Sequence, residues 1–504
     1  MRKTGYGMKL LDMADMQKIH QQMLEILKDP GLRFDLPDDE LQKLAACGGI
    51  KVDFAKKRVR IGEEPVLETI RQLNGAETDC IGANGSDKPA QPHRFPRNVS
   101  GYVGFLHAYM FDSEKWDLRP TTRRDFYDLV KLSRFLPHIH WKRAGLIPMD
   151  VPNEVSLIHA MALSVKYVAD GIVTDGIEQS EWIARMAEAA GLGKADDFPL
   201  MPPLVSSPLC IPKSGVDTIL WLMGKGRLPY ISGMGMINAS GPITIDGTLS
   251  VMFAEIFGFN TLMRLLAPPE NNTYSPHKVG DDMSMMEPRN AIMVLGRPEV
   301  QMLRLAQRQM AGEFYKFPGA SGFLLSAFND AAEPGIQAAL ENSLNVATEF
   351  FNGFYSYDED FEVIYKSMGT LQSNLCVSLE QAVIDHDILG WLRRFTQGID
   401  VTEDSLALDT IREIGPGGTF IATDHTLDNY KEAVWQPGLW HAGPWQLWLE
   451  NGKRTLLDKA KDVVHEALKT ELAPAIDDER MRDVEKLVKE AERSILGYET
   501  GMRF

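Results

Sequence analysis

The sequence has few cysteines and no cysteine pairing pattern. Its 504 residues contain four, which lie far apart and form no CxxC pair: Cys47, Cys80, Cys210 and Cys376. Small disulfide-stapled domains and zinc sites both need closely spaced or clustered ligands. We therefore expect a reduced, cytoplasmic chain with no zinc ion.

Several other signals are missing as well. No apolar run reaches the roughly 20 residues that cross a bilayer. The start, MRKTGYGMKLLDMADMQKIHQQMLEIL, is interrupted by acidic and polar residues, which is typical of an amphipathic helix and not of a signal peptide. Neither GxGxxG nor GxxxxGK[ST] occurs, so we expect no nucleotide cofactor, and no GxSxG elbow indicates a serine hydrolase.

Basic residues are fewer than acidic residues, 53 against 70. The formal net charge is −17, which argues against nucleic acid or an anionic membrane as the main partner. An apolar fraction of 44% and a charged fraction of 24% are those of a soluble globular protein. The remaining partners are small molecules and other proteins, and a homo-oligomer is expected.

The sequence does contain a long alternation of strand-like and helix-like segments. After a small hairpin and helix (GIKVDFAKKRVRIGEEPVLETIRQL), strand candidates are HIHWKRAGL, DGIVTDG, PLVSSPLC, LPYISG, NTYSP and EFYKFPG. Helical patterns fall between them at 153–167, 179–190, 214–225, 248–266, 298–311 and 334–349. Repeated strand–helix units of this number predict an α/β fold, a (β/α)8 TIM barrel.

The predicted domain organisation has three parts. Residues 1–98 form an N-terminal helical and hairpin extension, residues 99–437 the (β/α)8 barrel, and residues 438–504 a C-terminal helical segment ending in a helix pair separated by APAIDD. The segment REIGPGGTFIATDHT stops a helix and then turns apolar. It is either a helix cap or the edge of a site, and we favour the last strand and rim of the barrel.

Aromatic residues are frequent in the loops that would follow the barrel strands, where chemistry occurs in this fold. Ring faces suit a cation without N–H donors, because hydrogen bonds cannot hold it. Ordinary core packing is the more frequent role of any single aromatic residue. The candidates for substrate binding are Tyr102, Phe105, Trp141, Phe317 and Phe323; Tyr109, Phe314 and Tyr315 lie in the same loops.

Three titratable residues are candidates for catalysis. Asp330, beside Asn329, stands where a loop enters a helix, so it either caps that helix or lines a pocket. Glu255 lies inside an apolar helix, where a buried carboxylate needs a partner, and a structural hydrogen bond is the common explanation. His425 either caps a helix with Thr426 or faces the barrel mouth.

Separated motifs in matching order resemble the trimethylamine methyltransferase family. They are DLRPTTRRDFYDLVKLSRFLPHIH with MDVP, then SGPITIDGTLSVMFAEIFGFNTLMRLLAPPENNTYSP, then SLEQAVIDHDILGWLRRFTQGIDVTEDSLALDTIREIGPGGTFIATDHT. The resemblance covers residues 101–437. It implies that a methyl group moves from a methylated amine to the cobalt of a corrinoid carried on a separate small protein.

The resemblance also bears on the substrate. Founding members act on trimethylamine and contain pyrrolysine in the loop that corresponds here to SAFNDAAEPGIQAALE. This loop has only standard residues, and members without pyrrolysine are associated with quaternary amines such as glycine betaine, proline betaine and carnitine. The resemblance therefore implies a quaternary amine, with its ammonium head among the five aromatic candidates. Asp330 would lie near the cation, and His425 would contact the substrate carboxylate or the corrinoid.

Two other classes of function remain open. An aldolase-type lyase would need a Schiff-base lysine at a strand end, for which Lys316 is the candidate. A binding protein could sense betaines without turnover, since a fold does not fix a function.

Overall fold

The computed structural model describes residues 9–74, 98–139, 145–169, 177–193, 205–226, 231, 233–267, 283–316, 324–326, 328–351, 362–399 and 401–501. The chain is mixed α/β. Its described helices are α1 (Met13–Lys28), α2 (Asp38–Ala45), α3 (Glu63–Asn74), α4 (Arg123–Phe135), α5 (Ser156–Val168), α6 (Ile177–Ala189), α7 (Lys213–Gly224), α8 (Ile245–Leu266), α9 (Pro298–Gln309), α10 (Ile336–Phe351), α11 (Leu379–Thr396), α12 (Glu403–Leu406), α13 (Leu408–Ile414), α14 (Asp424–Ala433), α15 (Trp445–Glu450), α16 (Leu456–Lys469) and α17 (Asp478–Leu496).

Most of the described strands have two to four residues, and together the strands form four sheets. They are β1 (Leu32–Phe34), β2 (Ile50–Asp53), β3 (Arg58–Ile61), β4 (Asn98–His107), β5 (Tyr109–Asp112), β6 (Asp117–Pro120), β7 (Gly145–Leu146), β8 (Cys210–Ile211), β9 (Met236–Ile237), β10 (Ser284–Met286), β11 (Met293–Val294), β12 (Leu324–Ser326), β13 (Glu362–Met368), β14 (Thr370–Leu371) and β15 (Cys376–Val377). The sheet orders are β2-β3-β1-β8, β11-β10-β9, β12-β13-β4-β7 and β14-β15-β5-β6.

The sheet β12-β13-β4-β7 is parallel throughout. In its central pair, Tyr365 of β13 lies opposite Gly101 of β4. A Cβ atom at residue 101 would lie 2.5 Å from the Met368 sulfur, so a larger residue would force the Met368 side chain to move.

Two large hydrophobic cores and one small cluster, formed by Phe111, Ala331, Ala338, Leu371 and Cys376, hold the described chain together. The first core joins residues 16–73 to residues 205–315, with α8 at its centre. The second core joins residues 99–190 to residues 346–491. Helix α8 is long and apolar enough to cross a membrane by length and composition, but 78% of its apolar window is buried inside the protein. Its apolar residues are therefore those of a core helix.

Most of the predicted helices are confirmed. Each of the six helical patterns between residues 153 and 349 overlaps one of α5 to α10, and the N-terminal helix, the β2–β3 hairpin with α3, and the terminal pair α16 and α17 are present. The strand candidate DGIVTDG lies outside the described residues. So does NTYSP.

Two strand predictions are wrong. In EFYKFPG, Glu313 and Phe314 belong to a π-helical turn, Met310–Phe314, that continues α9. This turn packs Phe314 and Tyr315 into the first core. In GPGGTFIATDHT, the chain passes through turns into α14, and Thr423 caps that helix by accepting a hydrogen bond from the Thr426 backbone N–H. The cap interpretation of this segment was thus the correct one, with Thr423 as the capping residue.

The expected barrel is not seen as a closed sheet in the part of the chain that the structure describes. The described strands form sheets of four, three, four and four strands. The α/β class is confirmed, and the division into three domains stays a prediction.

Candidate active site at the carboxyl ends of the parallel strands

A buried polar network lies where three parallel strands end. Strand β4 ends at His107, β13 is followed by Gly369 and Thr370, and β12 is followed shortly by Asn329 and Asp330. The carboxyl ends of parallel strands meet at one edge of a sheet, which is where α/β enzymes place their chemistry. We call this group, with Asn342 and Asp385, the strand-end network.

Asp385 on α11 is the centre of the network. Its Oδ1 accepts hydrogen bonds from Asn342 Nδ2 at 2.9 Å and from Gln381 Nε2 at 2.8 Å, and its Oδ2 accepts from the Gly369 backbone N–H at 2.8 Å. Burial raises the pKa of Asp385 to about 6, and the three hydrogen bonds oppose that rise. The carboxylate therefore ties α11 and α10 to the end of β13.

His107 is held neutral. Its Nδ1 lies 3.2 Å from the Asn374 carbonyl oxygen and its Nε2 lies 3.1 Å from Thr370 Oγ1. Because a carbonyl oxygen only accepts, Nδ1 carries the proton and Nε2 accepts from the Thr370 hydroxyl. Burial lowers the pKa of His107 to about 4. Both ring nitrogens are engaged, so the imidazole orients the strand ends.

Asn329 extends the network across the sheet. Its Nδ2 donates to the Thr370 carbonyl at 2.7 Å and to Asn342 Oδ1 at 3.2 Å. Its Oδ1 accepts from the Ala331 backbone N–H at 3.1 Å. One fully buried amide thus fixes the loop after β12 against the residues after β13.

Asp330 lies at the edge of the same network. Its Oδ1 accepts from the Leu295 backbone N–H and from Ser373 Oγ, both at 2.7 Å, and its Oδ2 lies 3.6 Å from Arg297 Nε. Its own N–H donates to Glu341 Oε2 at 2.6 Å. Helix α10 begins only at Ile336, so Asp330 does not cap it. The Asp330 carboxylate instead links the segment at Leu295 to the turn at Ser373.

The turn between β14 and β15 is strained. Gln372, Ser373 and Asn374 all have positive φ, at 50°, 52° and 73°. A non-glycine residue there costs about 1–3 kcal/mol. The turn is held by the Gln372 N–H donating to the Ala331 carbonyl and by the Ser373 N–H donating to the Asn329 carbonyl. Strain of this kind is typical of functional loops.

An aromatic ring near the network already contacts cations. Phe328, two residues after β12, has Arg304 Cζ at 5.4 Å and Lys366 Nζ at 5.3 Å from its ring centroid. All three side chains are buried. A buried ring face at this edge of the sheet therefore stabilises positive charge, as cation–π geometry allows.

The predicted site residues fall in different places. Asp330 belongs to the strand-end network. Glu255 lies in the first core, where its Oε2 accepts from Ser207 Oγ and its Oε1 from the Leu209 N–H, both at 2.7 Å. Burial raises the pKa of Glu255 to about 7. Its contacts are those of a structural carboxylate and share no partner with Asp330.

His425 lies on α14 and not at the end of a strand. Its described hydrogen bond is made by its backbone carbonyl, which accepts from Asn429 Nδ2 at 2.8 Å. No residue of α14 is buried. The prediction that this segment forms the last strand of a barrel is wrong, because turns and a capped helix follow GPGG, and the role of His425 stays a prediction.

The aromatic candidates stay predictions. Trp141, Phe317 and Phe323 lie outside the described residues, and Tyr102 and Phe105 are described only as part of β4. Phe314 and Tyr315, from the same group of loops, are fully buried and pack with His20 in the first core. Lys316 follows the π-helical turn and not a strand, so it does not occupy the position of a barrel Schiff-base lysine.

The sequence interpretation missed His107 and Asp385. A signal for Asp385 exists, because it is spaced along α11 with the buried Gln381, Ile388 and Leu392, at intervals that place all four on one helix face. His107 gives a weaker signal, since it continues the alternation of Gly101 and Val103 in β4. No group of three or more His, Cys, Asp or Glu residues is placed to hold a metal ion within the described ranges.

Comparison with known proteins gives a consistent family. The family described as Trimethylamine methyltransferase (MTTB) matches residues 1–495. The chain is 25% identical over 484 residues to a glycine betaine methyltransferase of Desulfitobacterium hafniense (strain Y51), covering 93% of this chain and 94% of that protein.

Two further relatives carry another name. The trimethylamine methyltransferase MttB of Desulfitobacterium hafniense (strain DSM 10664 / DCB-2) is 25% identical over 441 residues, covering 84% of this chain and 82% of the relative. MttB of Methanosarcina barkeri (strain Fusaro / DSM 804) is 22% identical over 504 residues, covering 98% and 97%. The prediction of a methyltransferase is confirmed, and the chain belongs to the trimethylamine methyltransferase family.

Proposed function

We propose that this protein removes a methyl group from a quaternary amine of the betaine type and passes it to cobalt(I) of a corrinoid carried by a partner protein. Family membership over residues 1–495 supports the methyl transfer. A relative matched over most of its length is named a glycine betaine methyltransferase. The proposed location is the cytoplasm.

The choice of a quaternary substrate rests on the hydrogen bonding of the two titratable residues of the strand-end network. His107 and Asp385 are both fully buried, and their described hydrogen bonds go to other groups of the protein, so neither is placed to deliver a proton to an amine. A quaternary nitrogen leaves as a neutral tertiary amine when its C–N bond breaks, so it needs no proton. Removing a methyl group from trimethylamine would expel a dimethylamide anion unless the nitrogen were protonated first. The network therefore suits a quaternary substrate.

The reaction balances without an added acid or oxidant. Cobalt(I) supplies an electron pair to one methyl carbon, the C–N bond breaks, and its electron pair stays on the amine nitrogen. The corrinoid is thus the second substrate, and it supplies the nucleophile. The contribution of this chain is positioning and exclusion of water.

We also propose that the parallel strands belong to a closed (β/α)8 barrel. In the sheet order β12-β13-β4-β7, the two strands latest in sequence lie beside the two earliest, all parallel. This is the order expected where the last strand of a barrel meets the first. The network then lies at the mouth of that barrel.

The direct test is formation of methylcobalamin from reduced cobalamin across glycine betaine, proline betaine, carnitine and trimethylamine. We expect turnover of at least one quaternary amine and little turnover of trimethylamine, with full activity after chelation. A rate for trimethylamine that equals or exceeds every betaine contradicts the substrate proposal. Betaine binding without methyl transfer would indicate the non-catalytic binding protein, and a borohydride-trapped imine would indicate the lyase.

The ammonium cage has a separate test. We propose that Tyr102, Phe105, Trp141, Phe317 and Phe323 surround the cation. Trp141→Leu and Phe323→Leu should each weaken betaine affinity about 2- to 30-fold, because one ring face is worth about 0.5–2 kcal/mol. Phe34→Leu, a fully buried ring of the first core, is the matched control and should lower thermal stability alone.

A neutral isostere sharpens this test. A ligand with carbon in place of the quaternary nitrogen has the same shape but no charge, so it should bind poorly to the native protein. If the isostere competes as well as the betaine, and both leucine variants lose only stability, the cage assignment is wrong.

A further inference from the structure

Residues 401–450 form an extended segment, here called the arm, that has almost no buried side chain. Its helices α12, α13, α14 and α15 contain no buried residue. Across the whole arm only Leu439 is buried. The arm is attached to α11, where Asp387 accepts hydrogen bonds from the N–H groups of Gly438 and Leu439.

The exposed side chains of the arm are unusually apolar. Large hydrophobic residues stand exposed along its length: Val401, Leu406, Leu408, Ile411, Phe420, Ile421, Leu427, Tyr430, Val434, Trp440, Trp445 and Leu447. The four exposed aromatic residues among them together expose the equivalent of about two whole side chains, roughly 300–500 Å². That alone approaches the largest apolar patch of a typical monomer, about 300–600 Å².

The eight aliphatic residues enlarge this surface further. The total is then of the order that one partner contributes to a stable interface, about 800 Å². Ordering a segment of this length also costs conformational entropy that its own contacts do not offset, because it has no core. A permanent partner is therefore needed to cover it.

A second unpartnered apolar surface lies on α10. Ile336, Leu340 and Leu344 follow each other at intervals of four residues, so they share one helix face, and they are 83%, 58% and 63% exposed. We call these three residues the α10 stripe. Both the arm and the stripe are exposed in the same chain, so neither covers the other within one molecule.

We propose that the arm of one copy of this protein packs on the α10 stripe of a second copy, and that the reverse contact completes a two-fold dimer. A reciprocal exchange of this kind buries both surfaces of both copies and leaves none open. The arm carries eight acidic and two basic residues, a formal charge of −6, which disfavours an anionic membrane or nucleic acid as its occupant.

A transient partner fits the arm less well. A protein that must dissociate in every catalytic cycle uses a smaller and more polar interface than an obligate one. The corrinoid protein of the proposed function is such a partner, and this step of the reasoning depends on that function. The dimer itself does not.

The dimer would also reach the strand-end network. Glu341 on α10, beside Leu340, accepts a hydrogen bond from the Asp330 N–H. A partner arm seated on the stripe would thereby restrain the helix that holds the loop after β12.

The test compares three double variants by sedimentation equilibrium of the full chain. Ile421→Asp with Leu427→Asp alters the arm, and Leu340→Asp with Leu344→Asp alters the stripe. Phe54→Asp with Ile292→Asp alters two exposed apolar residues outside both surfaces and is the matched control. We expect the wild type and the control to have twice the mass of one chain. Each of the other two variants should dissociate at least about a hundredfold more readily.

Mixing the arm variant with the stripe variant gives the decisive result. A mixed dimer keeps one intact arm-on-stripe contact, so the mixture should associate more tightly than either variant alone. A monomeric wild type at tens of micromolar, a stripe variant that remains as tight a dimer as the control, or a mixture that gains no affinity overturns the proposal. Far-ultraviolet circular dichroism of each variant should match the wild type, since all the changed side chains are exposed.

Discussion

Each core contains a buried carboxylate whose pKa is raised by burial, Asp385 in the second core and Glu255 in the first, and these two are held in different ways. Asp385 in the second core accepts three hydrogen bonds, two from side-chain amides and one from a backbone N–H. Glu255 in the first core accepts two, from a hydroxyl and a backbone N–H. Burial raises the pKa of both, to about 6 for Asp385 and about 7 for Glu255.

The two carboxylates differ in whether a hydrogen-bond donor to them can become an acceptor. The Ser207 hydroxyl can donate or accept, so Glu255 tolerates a change in its own hydrogen-bonding character. Asn342 and Gln381 have fixed roles, because their oxygens already accept from Asn329 Nδ2 and the Gly335 N–H. The three donors around Asp385 therefore require a carboxylate at that position. The partners of Glu255 do not impose the same requirement.

The largest expected effect is that of Asp385→Ala. Leaving a buried donor without an acceptor costs about 1–3 kcal/mol, and three donors lose their acceptor here. The free energy of unfolding from urea titration should therefore fall by at least about 3 kcal/mol. A loss below about 1 kcal/mol would show that the network does not hold the strand ends together.

The second effect concerns pH. The folded-state pKa of Glu255 is raised from 4.5 to about 7, so the ionised form destabilises the folded state, and wild-type stability falls as pH rises through that window. Glu255→Gln removes this dependence. Relative to wild type, the variant should gain roughly 3 kcal/mol between pH 4.5 and pH 8. Equal pH dependence of the two proteins would mean that Glu255 ionises freely.

The third effect is that of Asp385→Asn at neutral pH. The substituted amide would have one accepting oxygen in place of two. Its NH2 group would therefore face either the Gly369 N–H or the amide donors of Asn342 and Gln381, and those amides cannot turn without breaking their other hydrogen bonds. We expect a loss of about 1–3 kcal/mol in the free energy of unfolding. Glu255→Gln, measured at the same pH as the matched comparison, should cost nothing or stabilise the folded state, because it removes a buried ionised group and the Ser207 hydroxyl can accept from the new amide. An opposite ranking would contradict the distinction between the two regions.

The smallest effect is expected for Tyr315→Phe in the first core. The Tyr315 hydroxyl lies 3.1 Å from His20 Nδ1, and both side chains are buried. Losing one neutral hydrogen bond costs about 1 kcal/mol. Thermal unfolding should show a drop of a few degrees with betaine affinity unchanged, which would set the first core apart from the site.

The helices could be read from the sequence because their apolar periodicity is local. Every helical pattern that was proposed between residues 153 and 349 corresponds to a described helix. The error at Glu313 and Phe314 has a clear cause, since a short run of aromatic residues suits a strand as well as a buried turn. The buried turn is favoured over a strand only by packing in the first core, which is assembled from segments distant in sequence.

The site was harder to predict for the same reason. Asp330 was identified from its loop, but its partners Leu295 and Ser373 come from other parts of the chain. For His107 and Asp385 the sequence indicates only which face of the strand or helix each residue occupies. The roles of both depend on hydrogen bonds to residues that are distant in sequence. His425 lies on α14, none of whose residues is buried, and its role stays a prediction.

The pairing of β13 with β4 has a consequence for how this protein is made. Gly101 and Tyr365 lie opposite each other although about 260 residues separate them in sequence. During synthesis, β4 leaves the ribosome long before its neighbour exists, and it must wait with an open edge. Long-range parallel pairing of this kind slows folding and leaves hydrophobic surface available for aggregation. The sheet that carries the candidate active site is thus completed only when most of the chain has been translated.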